Sequence, residues 1–194
     1  SWKRMPAKLL NGGELEGING PWLVFVDGTG IGWQLVARLE REGQDITTVA
    51  IANQFAELNS RAFTINPHQP DGYDALIKTL VDQERVPEYV AHLWSVTKSE
   101  QSKSDLPFFE ESQARGFYSL VYLAQALGRH DVMSSLRLTA VANNIHDVTY
   151  RIGRGGTLKQ RSARNNLGSF IVASCEFHIT QSGICGNAKG VGAQ

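Results

Sequence analysis

The chain has 194 residues (21.3 kDa), is 42% hydrophobic, and balances 19 Lys and Arg against 19 Asp and Glu. That is one full domain with room for part of a second; it excludes wholesale disorder, and zero net charge gives no electrostatic reason to expect nucleic acid. No apolar run reaches the ~18–20 residues of a bilayer span, no signal-peptide core opens the sequence, and two cysteines (Cys175, Cys185) indicate a reducing, cytoplasmic setting with no membrane contact.

After Asn19-Gly20-Pro21, the continuous apolar run Trp22–Val26 predicts a strand buried on both faces, broken by Asp27-Gly-Thr-Gly30. Ile31, Leu35, Val36 and Leu39 fall at helical spacing, and Gly43 stops that helix. Ile46–Ile51 is the next strand, rich in β-branched residues, and Ala62–Ile65 a shorter one ended by Asn66-Pro67. Tyr73, Leu76, Ile77 and Leu80 give a helix with Asp71 as its N-terminal cap; Tyr89–Trp94 is a strand, and Thr97–Asp105 a polar loop. Residues 112–128 form a long helix with Phe117, Leu120, Val121, Ala124 and Leu127 facing inward, and Leu136–Ala142 is a further strand. Strands alternating with helices predict βαβ units: an α/β, Rossmann-like three-layer sandwich around a mostly parallel sheet.

The zero charge conceals a split. Residues 151–194 carry Arg151, Arg154, Lys159, Arg161, Arg164 and Lys189 against Glu176 alone, so they hold +5 and residues 1–150 hold −5. Eight of the 19 glycines also lie there. The reading is a lead-in (1–20), a Rossmann-like unit (21–149) and a Gly/Arg-rich connector with one last strand (150–194). A basic interaction tail is the rival reading, although interleaved aromatics and a dense Lys/Arg block are missing.

VFVDGTGIGWQL is the segment with the look of chemistry. A glycine-rich turn from a first strand into a helix is where dinucleotide phosphates sit on free N–H groups. Gly28 and Gly30 fit G-x-G-x-x-G, but Trp33 stands at its third glycine; Gly28 and Gly32 fit the T-G-x-x-x-G-x-G pattern of short-chain reductases, but Asp27 and Gln34 stand at its threonine and last glycine. A carboxylate ~4 Å from a phosphate costs about 4 kcal/mol per charge pair at an effective dielectric near 20. The second strand ends at Ala52-Asn53 without an acid for ribose hydroxyls. The favoured expectation is a tight turn kept for packing; the alternative is an autonomous NAD(P)-dependent oxidoreductase using Gly28, Gly30 and Gly32.

Other chemistry is sparse. No tyrosine has a lysine four residues on, the pair by which an ammonium lowers a phenol's pKa. The histidines (His68, His92, His130, His146, His178) show no metal-ligand spacing. His92, with Ser95 nearby, invites a hydrolase reading, but without G-x-S-x-G a buried structural histidine is expected. The cysteines lack C-x-x-C, and Glu110-Glu111 reads as a solvated helix start.

Taken together, Trp2, GPWLVFVDGTGIGWQLVARL, FTINPHQPDGYDALIKTL, VPEYVAHLWSV, GFYSLVYLAQALG and LRLTAVANNIHDVT resemble the ketoreductase region of modular type I polyketide synthases, specifically its N-terminal structural subdomain. The resemblance fades after Thr149. It implies a truncated pseudo-Rossmann half that binds no cofactor and has no catalytic residue. It also implies a partner half, absent from this chain, that uses NADPH to reduce 3-oxoacyl thioesters on an acyl carrier protein. The expected partners are that half and neighbouring synthase domains, docked on exposed apolar residues such as Phe108-Phe109 or Phe170-Ile171-Val172.

Overall fold

The computed structural model describes residues 20–97, 106–132 and 136–143 with their side chains, and strands 170–180 and 183–191 as backbone. The strands are β1 (Trp22–Phe25), β2 (Ile46–Ile51), β3 (Ala56–Asn59), β4 (Ala62–Ile65), β5 (Tyr89–Ser95), β6 (Leu136–Asn143), β7 (Phe170–Thr180) and β8 (Gly183–Val191). The helices are α1 (Ile31–Arg41), α2 (Pro70–Asp82), α3 (Leu106–Gln113) and α4 (Ser119–Arg129), the last two joined through a π-helical turn, Ala114–Tyr118.

One sheet runs in the order β3-β4-β2-β1-β5-β6-β7-β8. Its centre, β4-β2-β1-β5-β6, is parallel, and strands β3, β7 and β8 join antiparallel. Without the β3 hairpin strand, the parallel strands read third-second-first-fourth-fifth, the order of a doubly wound Rossmann sheet. The expected α/β class is therefore what the chain adopts. Strand order reverses between β1 and β5, in register Trp22 with Tyr89 and Phe25 with His92, and ligands of such sheets bind outside the carboxyl ends of the strands at that reversal.

Alternation along the strands splits the core in two. Leu23, Phe25, Val49, Phe63, Val90 and Trp94 pack under α2 and α4, against Tyr73, Leu76, Ile77, Leu123 and Ala126. Val24, Val26, Ile46, Ala91 and Leu93 pack on the other face, against Val36 and Leu39 of α1. Helices thus cover both faces, as expected, but between β2 and β4 the chain makes the edge strand β3 instead of a helix. Arg85 pins that hairpin at the end of α2, donating to the Ser60 carbonyl at 2.5 Å and to Asp45 at 2.7 Å.

Several expectations need correction. Gln69, not Asp71, is the N-cap of α2: Pro70 opens the helix, which suits its missing N–H, and Asp71 lies in the first turn where its charge meets the dipole. Phe108 and Phe109, expected as exposed docking residues, sit in α3, with Phe109 exposed and Phe108 partly buried. Phe117 is 61% exposed and Ala124 is exposed as well, while Ser119, Leu123, Ala126 and Leu127 form the buried face. The π turn holds an extra residue, which rotates the downstream face by about one position relative to an uninterrupted 3.6 period. The tail forms two strands, a β7–β8 hairpin, and not one. Directly opposed pairs there are His178 with Cys185 and Cys175 with Ala188, so the two cysteines are not paired in register. Residues 1–19 and 144–169, with most of the proposed connector, lie outside the described residues, as do the side chains of Phe170, Ile171 and Val172.

Candidate functional site

The turn from β1 into α1 sits at the strand-order reversal, where a nucleotide-binding fold holds phosphate. Val26 ends the apolar run, and Asp27 follows, 5% exposed. Its carboxylate folds back over the start of the helix. Oδ1 accepts the Gly32 N–H at 2.5 Å; Oδ2 accepts the Thr29 N–H at 2.8 Å and also the Thr29 hydroxyl. The Thr29 contact is an Asx-turn, the local closure that Asp favours. One first-turn N–H of α1, that of Gly32, thus meets the chain's own anion, as does the Thr29 N–H just before the cap. Burial by itself pushes the Asp27 carboxyl up, but hydrogen bonds from the Thr29 hydroxyl, Gly32 N–H and Thr29 N–H outweigh it and hold the pKa below the ordinary value.

The three loop glycines divide the work. Gly30 caps the helix at φ 101°, left-handed backbone that glycine adopts without cost. Gly28 lies in open space. Gly32 is the packing glycine: a Cβ there would lie 2.9 Å from Asp27 Oδ1 and 3.0 Å from Val26 Cα. Trp33, read from the sequence as the residue spoiling that role, is 53% exposed instead. Close helix–strand approach is served one position earlier.

At the neighbouring strand ends, Asn143 bridges β6 to β5: its Oδ1 accepts the Thr97 N–H at 2.9 Å, and its Nδ2 donates to the Thr97 carbonyl at 2.6 Å. His92 is fully buried in mid-strand, ringed by Phe25 and Trp94. Its partner is Ser119 of α4, not Ser95; Ser95 instead packs against Gly116, where a Cβ would meet its Oγ at 2.9 Å. The Ser119 hydroxyl donates to the Arg115 carbonyl at 2.6 Å, which leaves it to accept from His92 Nε2 at 2.9 Å. Desolvation pushes His92 down to about 3, so it is neutral at any physiological pH. A serine whose proton is committed to a carbonyl, beside a buried histidine, is a structural pair. Burial likewise pushes the Tyr73 phenol, which donates to the Pro67 carbonyl at 3.5 Å, up, the direction opposite to that needed in a proton donor.

A second concavity opens at the same edge of the sheet. Pro67, His68, Phe109, Glu110, Gln113, Ala114, Tyr118 and Tyr122 line a groove of about 400 Å³. On its rim Glu111 accepts from Arg115 Nε at 2.5 Å and meets His68 Nε2 at 2.9 Å. Burial raises the Glu111 carboxyl, and these two partners more than reverse the effect. The sequence reading of Glu110-Glu111 as a solvated pair therefore holds for neither its place, the second turn of α3, nor for Glu111. Among the described residues no group of His, Cys, Asp and Glu is placed to hold a metal, and no helix is long and apolar enough to cross a membrane.

A family model described as beta-ketoacyl synthase-like, N-terminal, matches residues 22–149. Among solved structures, an N-terminal ketoreductase from the macrolactin assembly line aligns over 61% of this chain and 24% of its own, at TM-score 0.54 and 20% identity. A multidomain structure of a keto acid-selecting nonribosomal peptide synthetase module, with adenylation, ketoreductase and pseudo Asub domains, aligns over 58% of this chain and 9% of its own, at TM-score 0.53 and 26% identity. The chain thus spans under a quarter of either neighbour. No curated protein matches.

Proposed function

Because the chain belongs to the beta-ketoacyl synthase-like, N-terminal family, we propose that it is the non-catalytic structural half of a polyketide synthase ketoreductase. In this reading it packs against a catalytic half that reduces 3-oxoacyl thioesters on an acyl carrier protein with NADPH, within a cytoplasmic multienzyme. The structural neighbours, an N-terminal ketoreductase and a multidomain module that includes a ketoreductase, support the reading, and the Rossmann strand order agrees with it.

The observation that carries the proposal is the Asp27 carboxylate on the Gly32 and Thr29 N–H groups. The residues present do not fit a dinucleotide pyrophosphate: two backbone donors of the turn are taken, and the group that takes them carries the same sign of charge. The exposed Phe109 and Phe117 support a partner-bearing surface. The test is complementation. A ketoreductase catalytic half stripped of its N-terminal half is assayed for NADPH consumption with a 3-oxoacyl thioester, with and without this chain. Activity that appears only on mixing supports the scaffold; turnover by this chain alone refutes it.

A further inference from the structure

We propose that the groove between the β4–α2 loop and α3 docks a segment of another polypeptide that presents an arginine or lysine flanked by apolar side chains. The walls are aromatic: Phe109 is 60% exposed, and the Tyr118 and Tyr122 rings stack 6.2 Å apart at 25°. Phe117 extends the apolar surface, its ring 5.3 Å from that of Tyr118. Ring faces beside a carboxylate attract a cation that brings its own apolar stem.

The charges point the same way. Glu111 is held by Arg115 and His68, whereas Glu110, which lines the groove, makes no ion pair among the described residues. Across the residues described with side chains, thirteen carboxylates face eight lysines and arginines. At least six of those eight, among them Arg38, Arg61, Lys78, Arg85, Arg115 and Arg129, are already in ion pairs. The surplus charge of this body is acidic, so a basic occupant complements the groove. The π turn makes the surface possible: it carries Phe117 and Tyr118 outward immediately before Ser119 returns the helix to the core.

This inference shares the exposed Phe109 and Phe117 with the scaffold reading but fails separately from it, because its test uses a peptide and neither NADPH nor a ketoreductase half. A fluorescent peptide alternating leucine with arginine is titrated into the full chain and followed by anisotropy, beside a counterpart with glutamate for arginine. Saturable binding of the basic peptide alone is expected, weakened by salt and at least about tenfold weaker in Glu110→Lys and in Phe109→Ala. Both positions are exposed, and matching circular dichroism spectra establish that the variants fold. Equal binding of the two peptides, or binding indifferent to both substitutions, overturns the proposal. Binding of the basic peptide only after deletion of residues 151–164 overturns it too, because the occupant is then this chain's own basic stretch.

Discussion

Replacing Asp27 with alanine strips three hydrogen bonds from the start of α1 at once. Two come from backbone N–H groups, of Gly32 at 2.5 Å and Thr29 at 2.8 Å, and one from the Thr29 hydroxyl. Hydrogen bonds to a charged acceptor contribute about 1.5–3 kcal/mol each. Water reaches part of this turn, since Gly28 is exposed, so it replaces some of the loss. The expected destabilisation of Asp27→Ala is about 2–4 kcal/mol at neutral pH, and of Asp27→Asn, which keeps an acceptor without the charge, about half that. The pH dependence has a definite sign. The folded pKa lies below the unfolded one, so the carboxylate's stabilisation is complete above the unfolded value near about 4 and is lost as pH falls through the folded value. Urea unfolding followed by tryptophan fluorescence measures both effects. A change within about 0.5 kcal/mol for Asp27→Ala, equal at neutral and acid pH, would refute the claim that this carboxylate caps the helix.

Gly32→Ala should destabilise by about 2 kcal/mol or more, since its Cβ meets backbone at Val26 Cα as well as Asp27 Oδ1; thermal unfolding compares it with Gly28→Ala, where nothing lies within 4 Å and the change should be small. His92, depressed to about 3 by burial, binds its proton more readily in the unfolded chain, so its contribution to stability is full above about pH 6.5 and declines by about 2 kcal/mol by pH 5. Urea midpoints at the two pH values should show a shallower decline in His92→Gln. Arg85→Ala should cost about 1–2 kcal/mol and speed amide exchange in β3 and β4, because it frees the Ser60 carbonyl and leaves Asp45 with Arg61 alone.

Much of the architecture is written locally. Trp22–Val26 and Tyr89–Trp94 are apolar runs because both faces of a central parallel strand are buried, and Gly43 ends α1 with φ 74° as glycine can. What escaped the sequence depends on tertiary placement. Strand β3 reads Ala-Glu-Leu-Asn, an alternation of only four residues with no β-branched side chain, and exists because β4 offers it an edge. The inward face of α4 departs from the sequence pattern because a π turn leaves no mark in a 3.6 period, and Ser119, a polar residue, belongs to the buried side. At the candidate site the sequence exposed the acid beside the glycines, and Asp-Gly-Thr after a strand is itself an Asx-turn signature. That Oδ1 reaches Gly32 five residues on, and that Trp33 turns away, depends on how α1 lies against β1. The groove joins residues 67 and 68 to 109–122, a meeting no spacing announces.

Titration of the purified chain with NADPH, read by energy transfer from Trp22 and Trp33 on either side of the turn, tests the central claim most directly. An occupied helix start predicts no saturable signal up to about 1 mM. Saturable binding in the micromolar range, lost on substitution of Gly30 or Gly32, would contradict it.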